Sequence, residues 1–203
     1  MLEMDKLFGK YSYEGIEVND PSIAPFVSLK ELEYPHTFAR HANKQFGKAK
    51  VNLVERLANK LMRGGTGEKL SGKVIRTHGK LQGKKTKVLR IIEEAFVIVE
   101  RETKQNPIQL LVRAVENSAP REEVTRVRMG GVAYQVATDV SSQRRLDLAL
   151  RNIALAAITS SFGKSTKLSD TLAKEIILAS SGSADSYSVR RRNETERMAK
   201  SAR

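Results

Sequence analysis

Apolar side chains recur at helical spacing in five stretches of the chain, and that rhythm sets the expected architecture. From Val51 to Arg63, Val54, Leu57, Ala58 and Leu61 share one helical face, and Gly64 and Gly65 stop the segment. From Thr86 to Lys104, Val88, Ile91, Ile92, Ala95 and Val99 form a face long enough for a central helix. Asn106 and Pro107 supply a cap and a first-turn proline, opening a helix through Ile108, Leu111, Val112 and Val115 that ends before Pro120. Leu146, Leu150, Ile153 and Ala157, with Ser142 as cap, predict a fourth helix. Leu168, Leu172, Ile176 and Ala179 predict a fifth, terminated at Gly182. A short, highly charged helix over about 189–202 completes a mainly α pattern of about six helices.

Two regions break the helical period. Residues 1–35 contain Pro21, Pro25 and Pro35 and read as mostly extended chain. Between Thr125 and Val136, apolar and polar residues alternate on either side of Gly130-Gly131, which predicts a β-hairpin over about 123–139 with a two-glycine turn. Counting outward from the turn pairs Met129 with Val132, Val127 with Tyr134 and Thr125 with Val136. The other face then carries Arg126 beside Gln135 and Arg128 beside Ala133. One face is apolar and the other basic. The glycines between Gly64 and Lys85, set among Lys and Arg, read as a basic, mobile connection.

Charge changes this picture. Residues 1–35 are net −4, residues 36–90 net +13, residues 91–185 neutral and residues 186–203 net +4. A segment so poor in carboxylates calls for a polyanion that supplies the countercharge, and nucleic acid is the natural one. No cysteine is present, which removes disulfides, thiolate metal sites and cysteine nucleophiles. No apolar run is long enough to span a bilayer, and no charged-then-apolar leader opens the chain, so a cytoplasmic protein without a membrane partner is expected.

Catalysis finds little support. Gly67, Gly72 and Lys73 fit the start of a phosphate-binding loop, but Val74 stands where a magnesium-binding Ser or Thr is needed. His36, His41 and His78 lack the spacing of a metal or acid–base site and read as loop or RNA-facing residues. Glu93-Glu94 and Glu122-Glu123 read as solvated carboxylates. Neither cofactor nor metal is expected. Aromatic residues are only 5% of the chain, which argues against a base-stacking sheet and for phosphate and shape recognition by Arg and Lys. Tyr134 reads as hairpin packing more readily than as a stacking platform.

The ordered series Val54-Glu55-Arg56-Leu57, Gly83-Lys84-Lys85, Gln105-Asn106-Pro107, Glu116-Asn117-Ser118-Ala119-Pro120-Arg121-Glu122, Gly130-Gly131, Arg144-Arg145 and Arg190-Arg191-Arg192 with Glu196-Arg197-Met198-Ala199 resembles the universal small-subunit ribosomal protein S-seven family. The likeness runs from about His36 to Arg203. The spacer from Gly64 to Gln82 and the run Lys104 to Gln109 are most similar to the archaeal branch, with the eukaryotic cytosolic branch close behind. The resemblance implies a helical body with a protruding hairpin, direct binding to the three-prime major domain of small-subunit ribosomal RNA, and nucleation of head assembly. It also implies a place by the exit-site transfer RNA and the messenger RNA exit channel, among head and platform proteins. It sets Lys84, Lys85, Arg144 and Arg145 against ribosomal RNA, Arg126 and Arg128 on the hairpin, and Arg190, Arg191 and Arg192 at the head of the last helix.

Charge and position add Arg40, Lys44, Lys48, Lys50, Lys73, Arg76, Lys87 and Arg151 to the candidate RNA contacts. Lys84 and Lys85 precede the first apolar position of their helix, so their side chains are expected outside the core. The acidic residues 1–35 are expected to form an extension to an RNA-binding helical domain of residues 36–203, contacting RNA or a neighbouring protein. An architectural DNA-binding protein is the rival reading. An enzyme acting on RNA comes third.

Overall fold

The structure, a computed structural model, describes residues 6–203 apart from 64, 71, 72 and 78. Helices α1 (Leu53–Leu61), α2 (Lys85–Thr103), α3 (Pro107–Ser118), α4 (Ser142–Ser161), α5 (Leu168–Ser180) and α6 (Tyr187–Ser201) form the body. The α5 helix packs against α2, α3 and α4, while α1 lies on α4 and α2. Their shared interior is built from the periodic positions: Leu57, Leu61, Ile92, Val99, Leu111, Leu150, Ile153, Leu172 and Ile176 are all fully buried. Each such aliphatic side chain removed from water contributes about 1.5–3 kcal/mol.

The end signals act as the sequence predicts in two places. The Asn106 side chain accepts from the Ile108 N–H at 3.0 Å, with Pro107 in the first turn. Gly182, at φ 68°, closes α5: its N–H donates to Ala179 O at 3.0 Å and the Ser183 N–H to Leu178 O at 3.1 Å, the double bond of a left-handed helix end. Ser142, expected to cap α4, is instead its first helical residue; Ser141 holds the cap position without a side-chain bond.

Residues 6–35 are wound into the body. Leu7, Phe8, Tyr11, Tyr13 and Ile23 belong to the main core cluster, Phe8 and Tyr11 meeting Phe96 edge-to-face. Asn52 fastens the segment, its Nδ2 donating to the Tyr13 hydroxyl and to Lys30 O. Burial pushes the Tyr13 phenol up to about 12. An acidic composition did not make this segment peripheral, because Leu7, Phe8, Tyr11, Tyr13 and Ile23 all enter the core.

The basic connection holds a strand pair not expected from its glycines: β1 (Gly65–Leu70) runs antiparallel to β2 (Lys73–Arg76). Gly72 of the G-x-x-x-x-G-K match lies outside the described residues, and an antiparallel pair is not the strand-to-helix frame of a phosphate-binding loop.

The second hairpin, β3 (Glu122–Met129) with β4 (Val132–Asp139), has the expected register, including Val127 opposite Tyr134 and Arg126 opposite Gln135. Its root is held by ions. Arg144 forks onto Glu123 at 2.6 and 2.8 Å, Arg203 pairs with Glu122, and the Arg121 N–H donates to Glu196 at 3.0 Å. Glu122 and Glu123 are therefore clamps rather than solvated carboxylates. Farther out, the apolar face stays in solvent, with Tyr134 51% exposed. Eight residues at roughly 3.4 Å each reach about 27 Å, beyond the helices that could cover them.

Gly130 and Gly131 both have positive φ, 58° and 84°, with nothing near a prospective Cβ. Their requirement is conformational. Replacing both by valine is expected to cost about 1–2 kcal/mol per residue and to scramble the register. Amide NMR should then lose the cross-strand contacts of β3–β4 while the thermal midpoint of helical circular dichroism stays in place.

Candidate nucleic-acid interface

The expected RNA-binding cations fall into two groups. Arg40, Lys44, Lys50, Arg76, Lys84, Lys87, Arg126, Arg128 and Arg190 are exposed and form no ion pair among the described residues. Arg151 is half-buried on α4. Lys73 lies on β2, and its side chain is outside the described set.

The second group is tied to the protein itself. Lys85 pairs with Glu55, which is 0% exposed, so its ammonium serves the interior, contrary to the expectation that it stays outside the core. Arg145 is also buried, donating to Pro120 O at 3.2 Å, to Asp20 at 2.8 Å and to the Ser22 hydroxyl; it fastens the N-terminal segment to α4. Arg192 donates to Asn117 O, and Arg191 pairs with Glu194 one turn on. Arg144 and Lys48 hold Glu123 and Asp147.

Asp147 of α4 is a hub. It meets Lys48, Arg56 at 3.2 Å and Lys60 at 3.3 Å. Burial alone would raise its carboxyl, but the hydrogen bond from Lys48 and the charges of Lys60 and Arg56 hold it below the usual carboxylate range. Arg56, 2% exposed, and Lys60 are pulled down by burial despite that partner. His41, Arg63 and Asn59 complete a cavity of about 370 Å³ lined with these cations. Asp147 is the carboxylate that Lys48, Arg56 and Lys60 share, and it is not among the residues that line the cavity.

A larger groove of about 630 Å³ has an apolar floor of Leu81, Ile91, Ile158, Phe162 and Leu168. Its rim carries Arg76, Lys80, Lys87, Lys164 and Lys167, with Glu94 as the single acid. Lys164 and Lys167 come from the charge-neutral part of the sequence and gave no signal there. The turn between α4 and α5 brings them against the 76–87 segment. A third cavity, about 550 Å³, sets Arg121, Arg145 and Arg192 against Asp20, Glu116 and Glu196; that balance offers nothing to an outside anion.

Residues 28–203 match the family described as ribosomal protein S7p/S5e. The chain belongs to that family. The small ribosomal subunit protein uS7 of Picrophilus torridus is 46% identical over 201 residues, covering 98% of this chain and 100% of the relative. The member described here is of the archaeal type. Membership makes it a structural ribosomal protein rather than an enzyme. No helix among the described residues is long and apolar enough to cross a membrane.

Proposed function

We propose that this ribosomal protein works in the cytoplasmic small subunit, where it binds the three-prime major domain of ribosomal RNA and nucleates folding of the head. The observation that carries the reading is the cationic rim of the 630 Å³ groove, where the 76–87 segment and the turn between α4 and α5 deliver five cations against one acid among the described residues. Lys and Arg on such a surface neutralise phosphates, and the shape of a folded RNA junction supplies selectivity. The hairpin, projecting with Arg126 and Arg128 exposed on one face, suits contact with messenger RNA and exit-site transfer RNA. Its apolar face and the neutral third cavity suit neighbouring head and platform proteins.

Filter binding to a transcript of that RNA domain tests the reading. Affinity is expected to fall by about a thousandfold or more between about 50 and 200 mM salt, for six or more phosphate contacts. Affinity indifferent to salt would overturn phosphate recognition, and equal affinity for duplex DNA of the same length would support an architectural DNA-binding protein.

A further inference from the structure

We propose that the loop over residues 34–50 carries a base-stacking site for single-stranded RNA, built on Phe38 and Phe46. The inference rests on the RNA-binding reading and names a recognition mode that composition argued against. Phe38 is 73% exposed and Phe46 70% exposed, the most exposed large apolar side chains among the described residues. A chain with so few aromatic residues sets two of them in water on one short loop.

The loop is built to hold them there. Phe38, Ala39 and Phe46 all have positive φ, at 49°, 59° and 54°, a region that bulky L-residues seldom enter. Such backbone strain persists where surrounding contacts over-determine it, and it gathers at binding sites. The contacts are present. Thr37 donates through its N–H (3.0 Å) and its hydroxyl (2.8 Å) to Oε1 of the buried Glu55 carboxylate, the same oxygen that Lys85 meets. The Phe38 N–H donates to His36 Nδ1 at 3.0 Å, and the two rings lie 4.1 Å apart. At Gly47 a Cβ would stand 2.4 Å from the His41 carbonyl, so only glycine permits the close turn that precedes and presents Phe46. These contacts set the backbone that carries the two rings.

The surrounding charge identifies the occupant. Residues 34–50 contain no Asp or Glu; Arg40, Lys44 and Lys50 interleave with the two rings and form no ion pair among the described residues, while Lys48 is held by Asp147. Exposed rings among cations that lack carboxylates match a ligand carrying flat π-faces on an anionic backbone. An unpaired stretch of RNA has both, and stacking tolerates any base. A protein partner would be expected to meet its apolar anchors with a neutral or mixed rim.

The test uses the full-length protein and a single-stranded RNA octamer containing 2-aminopurine, whose fluorescence falls on stacking. An abasic octamer with the same number of phosphates is the control. Wild type should quench the probe and bind it more tightly than the abasic strand. Phe38→Leu and Phe46→Leu should each weaken the base-bearing octamer by about tenfold, leave the abasic one unchanged and keep the salt slope. Phe38→Trp should restore quenching. Unchanged thermal midpoints would show that the exposed rings carry no fold stability. Equal loss on both octamers, absence of quenching, or undiminished binding by both leucine variants would overturn the site. Salt-dependent binding of the folded ribosomal RNA domain would then leave the broader reading standing. Salt-indifferent binding of that domain would overturn both.

Discussion

Lys85→Met, with Glu55 left in place, is expected to lower the unfolding free energy by about 3–5 kcal/mol, because a buried carboxylate would lose its counter-charge. Methionine keeps the length and packing of the lysine stem, so the loss would report the pair rather than a void. Burial alone would raise the Glu55 carboxyl; the hydrogen bond from Lys85 and the two from Thr37 outweigh it and hold the group below its ordinary range. A carboxyl depressed on folding stabilises above its unfolded pKa, and that stability is lost as pH falls through the folded value. The gap between wild type and variant should therefore narrow in acid. Urea unfolding at neutral and acid pH checks both statements. Glu55→Leu with Lys85→Met should recover most of the loss, since an apolar pair can replace a buried ionic one. A single variant as stable as wild type at neutral pH would mean that Glu55 reaches water.

Asp147→Ala is expected to cost about 3–5 kcal/mol by the same principle, with a different signature. It leaves Lys48, Arg56 and Lys60 facing one another across the 370 Å³ cavity, with Arg56 almost fully enclosed. An anion supplied from solution can take the place of the lost carboxylate. Sulfate or phosphate should therefore raise the melting temperature of the variant more than that of wild type, at ionic strength matched with chloride. Equal response of the two proteins would show that the cations find other partners on their own.

These two residues mark where the sequence was legible and where it was not. Periodicity located α2 and α3, and alternation around Gly130-Gly131 set the hairpin register, because both patterns record a repeated choice between core and solvent. Lys85 and Arg145 offered no such record. A lone cation looks the same in sequence whether it faces RNA or a buried carboxylate, and only the fold brings Glu55 and Asp20 to them. The N-terminal segment was read as an extension because Leu7, Phe8, Tyr11 and Ile23 follow no period; each enters the core singly. Glycines hid the β1–β2 pair by reading as a loop. An aromatic share of 5% does not say where the rings sit, and only the fold sets Phe38 and Phe46 in solvent. Lys164 and Lys167 were invisible because their partners on the groove rim lie some eighty residues earlier.

The anchoring of residues 6–35 has a consequence for synthesis. Asp20 meets Arg145 across 125 residues of sequence, and Tyr11 meets Glu100 across 89. The first part of the chain to be made therefore has no native place to go until α2 and then α4 exist. At roughly 5–20 residues per second, the wait between Asp20 and Arg145 is about 6–25 seconds. During that interval Leu7, Phe8, Tyr11 and Ile23 stand without their core, and the growing polypeptide presents a sticky leading end.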